Sequence, residues 1–355
     1  MSGARGRGDA DVDTDVLVVG GGPIGLATAI EARLAGLRVV VVEPRSGPID
    51  KACGEGLMPG AVRALARLGV SPEGHPLTGI GYRDAARGVD HLFTAGTGLG
   101  VRRTTLQAAL AARAHELGVE VVVGRVRAIE QDRDAVTAVG VRAHWLLGCD
   151  GLHSSVRRLS GLARPGRPSG AGERNRRRYG TRRHFRVPAW TDLVEVHWGP
   201  AVEAYVTPVA ADVVGVALLG PAHVDYARGL ASFPSLVTRL RDAEPLGPVR
   251  GAGPLRQRSS ARTNGRVRLV GDASGYVDAL TGEGLRVGLA QAAAVIAHLD
   301  EPASYERAWS EATRDYRALT SGLVALATSP LRRSIVPIAV ASPAIFGAIV
   351  ERLAR

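Results

Sequence analysis

Apolar residues follow three different patterns along this chain. From Asp15 the sequence reads DVLVVGGGPIGLATAIEARLAGLRVVVVEPR. A β-branched run over 16–19 is followed by a helix-forming stretch to Leu34 and a stop at Gly36. A second β-branched run over 39–42 then ends at Glu43. Uninterrupted runs of this kind predict strands buried on both faces, as in a parallel sheet wrapped by helices. Over 179–219 the pattern becomes alternation. Val194, Val196 and Trp198 interleave with Glu195 and His197, Tyr205 and Thr207 interleave with Val206 and Pro208, and 213–219 is a strong β run. Period two predicts antiparallel strands with one covered face.

The third pattern is helical. Leu285, Leu289, Ala292, Ile296 and Leu299 stand at offsets 0, 4, 7, 11 and 14. Leu106, Ala109, Leu110 and Leu117 stand at 0, 3, 4 and 11. Each set lies on one helix face. Residues 322–355 are apolar but broken by Pro330, Pro337, Pro343 and the Arg332-Arg333 pair, which predicts helices closing a cavity and not a clean span. Contact with a membrane surface or a dimer face are the alternatives for that segment.

Composition alters this picture in two places. A net charge of +11 would suit nucleic acid, but Lys51 is the sole lysine among 45 basic residues, which points to GC-rich codon usage. With 4% aromatic residues and no nucleic-acid fold signature, such a partner is not expected. Cys53 and Cys149 form no C-x-x-C and have no ligand-spaced histidines, so no metal site is expected. Residues 1–13 read as a flexible tail without a leader pattern, and the cytoplasm is the expected location, with membrane association left open.

The candidate chemistry starts at Gly20, Gly22 and Gly25, a G-x-G-x-x-G between strand and helix, followed 18 residues later by Glu43. This is the dinucleotide-binding fingerprint in its required context. Gly20 makes the turn, Gly22 lets backbone approach a pyrophosphate, and Gly25 lets helix and strand pack. The helix start offers N–H groups to phosphate. Glu43 can accept from a ribose diol, with Arg45 beside it.

Three later segments fix the family reading. They are Asp150-Gly151 after an apolar strand, Gly271-Asp272 after another, and Thr281-Gly282-Glu283-Gly284-Leu285 opening a helix. With Arg103-Thr104-Thr105-Leu106, they resemble the glutathione-reductase-type FAD fold of single-component flavoprotein monooxygenases and geranylgeranyl reductases. The resemblance implies an α/β protein with a Rossmann-like FAD-binding domain, a β-sheet substrate domain and C-terminal helices. The expected division is 14–75, 101–165 and 255–300 for FAD, 76–100 and 176–254 for substrate, and 301–355 for the helical segment. It also implies FAD, with NADPH or NADH as transient reductant. Arg103 and Asp272 would hold the phosphates and ribityl chain, Asp150 and Gly151 would approach the flavin, and Gly282, Glu283, Gly284 and Leu285 would face its reduced edge.

The branch is less uniform. Gly275 and Glu283 stand where aromatic hydroxylases carry His and Gln. The Cys53-Gly54-Glu55-Gly56 run resembles the reductases, in which Cys53 and Gly54 would lie over the flavin. The stretch 203–208 keeps Tyr205 and Pro208 but has Val206-Thr207 where prenyl reductases place bulky aromatics. The implied function is NAD(P)H-using hydroxylation by O2 of a small aromatic, quinol or polyketide-type substrate in secondary metabolism. The alternative is reduction of an activated C=C bond. Cys53, Tyr205 and His197 are the candidate catalytic side chains, with His184 and Trp198 also able to face substrate. A monomer or homodimer fits either reading. The arginine-rich stretch 164–183 reads as a surface loop able to meet an anionic ligand.

Overall fold

The computed structural model describes residues 12–164, 177–222 and 224–355. Most of the expected tail and the centre of the arginine-rich stretch lie outside these residues. Asp13 departs from the expected tail. Its N–H donates to the Arg142 carbonyl at 2.9 Å and its carboxylate accepts from the Arg142 N–H at 2.8 Å, which ties it to the first sheet.

That sheet has eight strands. Its main path runs Thr263–Asn264, Val267–Leu269, Val141–Gly148, Thr14–Val19, Val39–Glu43, Glu120–Val123. Thr14–Val19 pairs in parallel with both Val141–Gly148 and Val39–Glu43. The β-branched runs serve two cores at once, because alternate side chains leave opposite faces. Val16, Val18 and Val41 pack with Leu26, Ile30, Leu106, Leu110 and Leu289 of the covering helices. Leu17, Val19, Val40 and Val42 pack on the other side with Val136, Leu146 and Val267.

The second sheet has seven strands, ordered Glu244–Ala252, Arg178–Arg186, Val213–Pro221, Glu203–Ala210, Leu193–Trp198, Gly79–Arg83, Gly88–Leu92. Its neighbours are antiparallel except Leu193–Trp198 on Gly79–Arg83, which is parallel. Register sets Val196 opposite Tyr205 and Tyr205 opposite Ala217, making one cross-strand row. The adjacent row, with His197 opposite Ala204, lies on the other face.

Two contacts fasten the halves. The strand Gly98–Gly100 passes so near the second sheet that a Cβ on Gly100 would lie 1.8 Å from the Pro208 carbonyl oxygen. Glu203, fully buried, accepts from Arg178 at 2.7 Å and from Arg332 of the C-terminal segment. Arg178 also pairs with Asp278 at 2.9 Å. The helices Pro302–Ala327, Ile335–Ala341 and Pro343–Ala354 complete the C-terminal segment. No single helix among the described residues is long and apolar enough to cross a membrane.

Candidate active site

The glycine motif acts through backbone geometry. Gly20 has φ +112°, a conformation that suits glycine. A Cβ on Gly25 would stand 1.7 Å from the Gly20 carbonyl oxygen, so the helix Pro23–Leu34 can approach only without a side chain there. Gly22 differs, since a Cβ on it would meet nothing within 4 Å. Its emptiness opens onto a cavity of about 1220 Å³ that Gly22, Arg103, Asp272, Val196 and Tyr205 all line. Small-molecule pockets usually hold about 300–1,000 Å³, so this one has room for a dinucleotide and a second molecule.

Glu43 ends its strand beside the motif. Its carboxylate accepts from the Gly21 N–H at 2.8 Å and pairs with Arg45 at 2.6 Å. Arg103 begins the helix Arg103–Glu116; its N–H donates to Glu55 at 2.9 Å, and its Nε is buried without a partner. Asp272 sits at the cavity wall. Desolvation raises its pKa although Arg103, Lys51 and Arg157 pull it down. Lys51, also at the wall, is pushed down by desolvation and by Arg45 and Arg103.

Asp150 is partly spent on structure. One carboxylate oxygen accepts from the N–H groups of Ser155 at 2.6 Å and Val156 at 3.1 Å, capping the helix Ser155–Leu159, while Oδ1 is buried without a partner. Arg157 closes the same segment and is assigned no role from the sequence. Its guanidinium donates to the carbonyls of Leu152 at 2.7 Å and Ala273 at 2.9 Å, bolting the Asp150-Gly151 segment to Gly271-Asp272.

Glu283 departs from its expected role. Its neighbours Gly282 and Gly284 line the cavity, but its own carboxylate is buried against Arg286. Burial pushes its pKa up to about 7, against the attraction of Arg286.

The candidate catalytic side chains separate. Cys53 lines the cavity; its sulfur accepts from the Glu55 N–H at 3.4 Å and from Arg103 at 3.8 Å. Tyr205 lines it too, but its hydroxyl donates to the Leu280 carbonyl at 2.5 Å and so is occupied. His197 does not join them. It lies on the opposite sheet face, 3.2 Å from Glu195 and edge-on to Phe233, because strand alternation that turns Val196 inward turns His197 out. Trp198 packs with Tyr82 at a ring separation of 5.4 Å.

His184 faces Glu55 instead of substrate, at 2.5 Å. Arg182 donates to His184 Nδ1 at 3.0 Å and to Asp50 at 2.5 Å, and Arg250 joins Asp50 at 3.0 Å. With Thr207 donating to the Gly54 carbonyl at 2.8 Å, this chain, buried at His184 and Glu55 and reaching the surface at Arg250, clamps the 50–56 strap along the cavity. Glu55 holds φ +61°, which costs a non-glycine residue and is sustained by those bonds. The Cys-Gly-Glu-Gly run drew attention for its glycines, and nothing local signals the partner 129 residues away.

Two buried unpartnered polar atoms, a bare Gly22 cradle and a helix start at Pro23 fit a phosphate-bearing dinucleotide. Residues 13–173 match the family model for an FAD binding domain. The cofactor is therefore FAD. Over 168 residues the chain is 38% identical to rifampicin monooxygenase of Streptomyces venezuelae, which covers 44% of this chain and 35% of that protein. A shorter stretch of 57 residues is 56% identical to menaquinone reductase of Mycolicibacterium smegmatis, 16% of this chain and 14% of the relative. The chain thus spans well under half the length of these curated relatives. Beyond the FAD-binding domain the likeness is in fold. The structure of p-nitrophenol 4-monooxygenase PnpA from Pseudomonas putida superposes with TM-score 0.75 at 21% identity, covering 96% of this chain and 94% of that one.

Proposed function

We propose that this protein is an FAD-dependent, NAD(P)H-using monooxygenase acting on a small aromatic, quinol or polyketide-type molecule. One observation carries the reading. The FAD-binding motifs and an apolar chamber under the seven-stranded sheet belong to a single cavity. The similarity to rifampicin monooxygenase over the FAD-binding half supports it. The net reaction is RH + O2 + NAD(P)H + H⁺ → ROH + NAD(P)⁺ + H2O. FAD, when bound, supplies two-electron reduction by the nicotinamide and activation of O2.

The chain's own residues bind, aim and exclude water. Gly20, Gly22 and Gly25 would present the first turn of Pro23–Leu34 to the pyrophosphate, and Glu43, whose oxygens also accept from the Gly21 N–H and from Arg45, would accept from the ribose. Arg103, with a free Nε, and Asp272 hold the phosphate and ribityl side. Asp150 and Gly151 form the neighbouring wall, as does the strap carrying Cys53 and Gly54. Gly271 gives the tight turn before Asp272, with φ +64°. Gly282, Gly284 and Leu285 would offer the first N–H groups of Gly284–Ala297 to negative charge on the flavin side of the cofactor. Val196 and Ala217 keep the chamber dry, which protects an oxygen-activating site. Tyr205 then positions the Leu280 backbone and transfers no proton.

A reductive reading rests on the stretch shared with menaquinone reductase and on the Cys53-Gly54-Glu55-Gly56 run. A panel of phenols, quinols and quinones, incubated with NADPH with and without O2, separates the two. The hydroxylase reading expects product only with O2, one O2 consumed per NADPH, and most activity kept in Cys53→Ala. Complete turnover without O2, lost in Cys53→Ala, transfers the assignment to the reductase.

A further inference from the structure

The cavity does not end inside the protein. Leu326, Leu331, Ile338, Ile345 and Ile349 line it and are also 41–61% exposed, so they form its outer rim. Exposed aliphatic side chains of this size scattered singly would be ordinary; five gathered around one opening are not. They come from the end of Pro302–Ala327, from the turn Pro330–Ser334, and from the helices Ile335–Ala341 and Pro343–Ala354. The first of these helices and the segment 330–341 meet at 101°. Neither helix alone is long and apolar enough to cross a membrane, and a bent apolar segment with an exposed face suits a membrane surface.

Charge selects the occupant. Residues 318–355 hold four arginines and one acid, Glu351. Glu351 is occupied by His91 at 3.0 Å and the Thr94 N–H at 2.8 Å. Arg332 is buried on Glu203, and Arg352 pairs with Asp315 at 3.0 Å. Arg333, two residues from Leu331 of the rim, is exposed and has no carboxylate partner among the described residues. The apolar rim is thus flanked by the unpaired Arg333, on a chain of net charge +11. A second copy would bring like charges together at this face. An anionic lipid surface would meet them with the opposite sign.

We propose that the rim formed by Leu326, Leu331, Ile338, Ile345 and Ile349 docks on an anionic lipid bilayer, so that the cavity opens into the lipid phase and takes its substrate from there. The substrate class is then a lipid-soluble ring compound, whose ring reaches the inner chamber while its apolar remainder lies along the C-terminal helices. That substrate route rests on the oxidoreductase reading; the docking does not.

The test uses FAD-loaded full-length protein floated with vesicles of phosphatidylcholine alone or with phosphatidylglycerol added. Binding should need phosphatidylglycerol, weaken as salt rises, and fall at least about tenfold in the Ile338→Asp/Ile345→Asp double variant, with FAD content and Tm unchanged. If the double variant loses FAD, Ile338→Ser/Ile345→Ser replaces it with the same expectation. No flotation of the wild type overturns the proposal, as does flotation indifferent to the substitutions. So does a dimer in sedimentation that the same substitutions dissolve, because a second copy would then cover the face. Vesicle binding without turnover of any ring substrate leaves docking intact and removes the oxidoreductase reading.

Discussion

The two halves of this molecule form their walls of the cavity by different means. At the glycine motif of the first sheet the wall is backbone. Gly20, Gly22 and Gly25 act by having no side chain, and the N–H groups they free lie within a few residues of one another. In the seven-stranded sheet and the C-terminal helices the wall is side chain. Val196, Tyr205 and Ala217 reach it from three strands, and Ile338 and Ile349 reach it from two helices. A backbone wall repeats whenever the local spacing repeats, so it can be recognised from a short motif. A side-chain wall depends on register between distant segments, and many apolar sequences would serve.

The largest effect should come from breaking the backbone wall itself. Gly25→Val would drive a β-branched group into the Gly20 carbonyl, where even a Cβ lies at 1.7 Å. We expect loss of roughly 5 kcal/mol or more and no soluble folded protein. A soluble Gly25→Val protein with wild-type Tm would contradict the packing role.

Next comes the fastening of the side-chain half. Glu203→Ala leaves Arg332 and part of Arg178 buried without their charge partner. Removing one member of a buried pair costs about 3–5 kcal/mol. Urea unfolding should register that loss, and the comparison sharpens if FAD still binds the folded fraction with near wild-type affinity. An unchanged urea midpoint would mean that the network is solvated.

The smallest effect is a pH dependence. Burial raises Glu283 to about 7 from an ordinary 4.5, so the folded state prefers the protonated acid. Its contribution to stability is therefore full below about 4.5 and is lost as pH rises through about 7. Glu283→Gln cannot titrate. Across pH 5–8 the wild type should lose Tm relative to the variant, by an amount corresponding to at most roughly 2–3 kcal/mol. A gap that stays constant with pH would show that Arg286 keeps the carboxylate ionised throughout.

What could be read in the sequence follows the same division. The β-branched runs, the glycine spacing and the helical offsets of Leu285 and Leu289 are local patterns, and the corresponding strands and helices form where those patterns predict. His197 misled because alternation establishes that two faces exist without saying which one meets the cavity. Register with Ala204 and packing against Phe233 decide that. Tyr205 lines the cavity, but the Leu280 carbonyl that occupies its hydroxyl is 75 residues away. The Glu55–His184 clamp was out of reach for the same reason, since its partners come from a strap and a strand that share no motif.

Gly22 tests the central claim most directly, because it belongs to the backbone wall but faces only open space. Valine there should leave the fold intact and fill the cradle. Titrating FAD into apoprotein and following flavin absorbance should give one FAD per wild-type chain. Gly22→Val, at unchanged Tm, should bind at least about a hundredfold more weakly. Equal FAD affinity in the two proteins would contradict the account, for it would place the cofactor somewhere other than the glycine cradle.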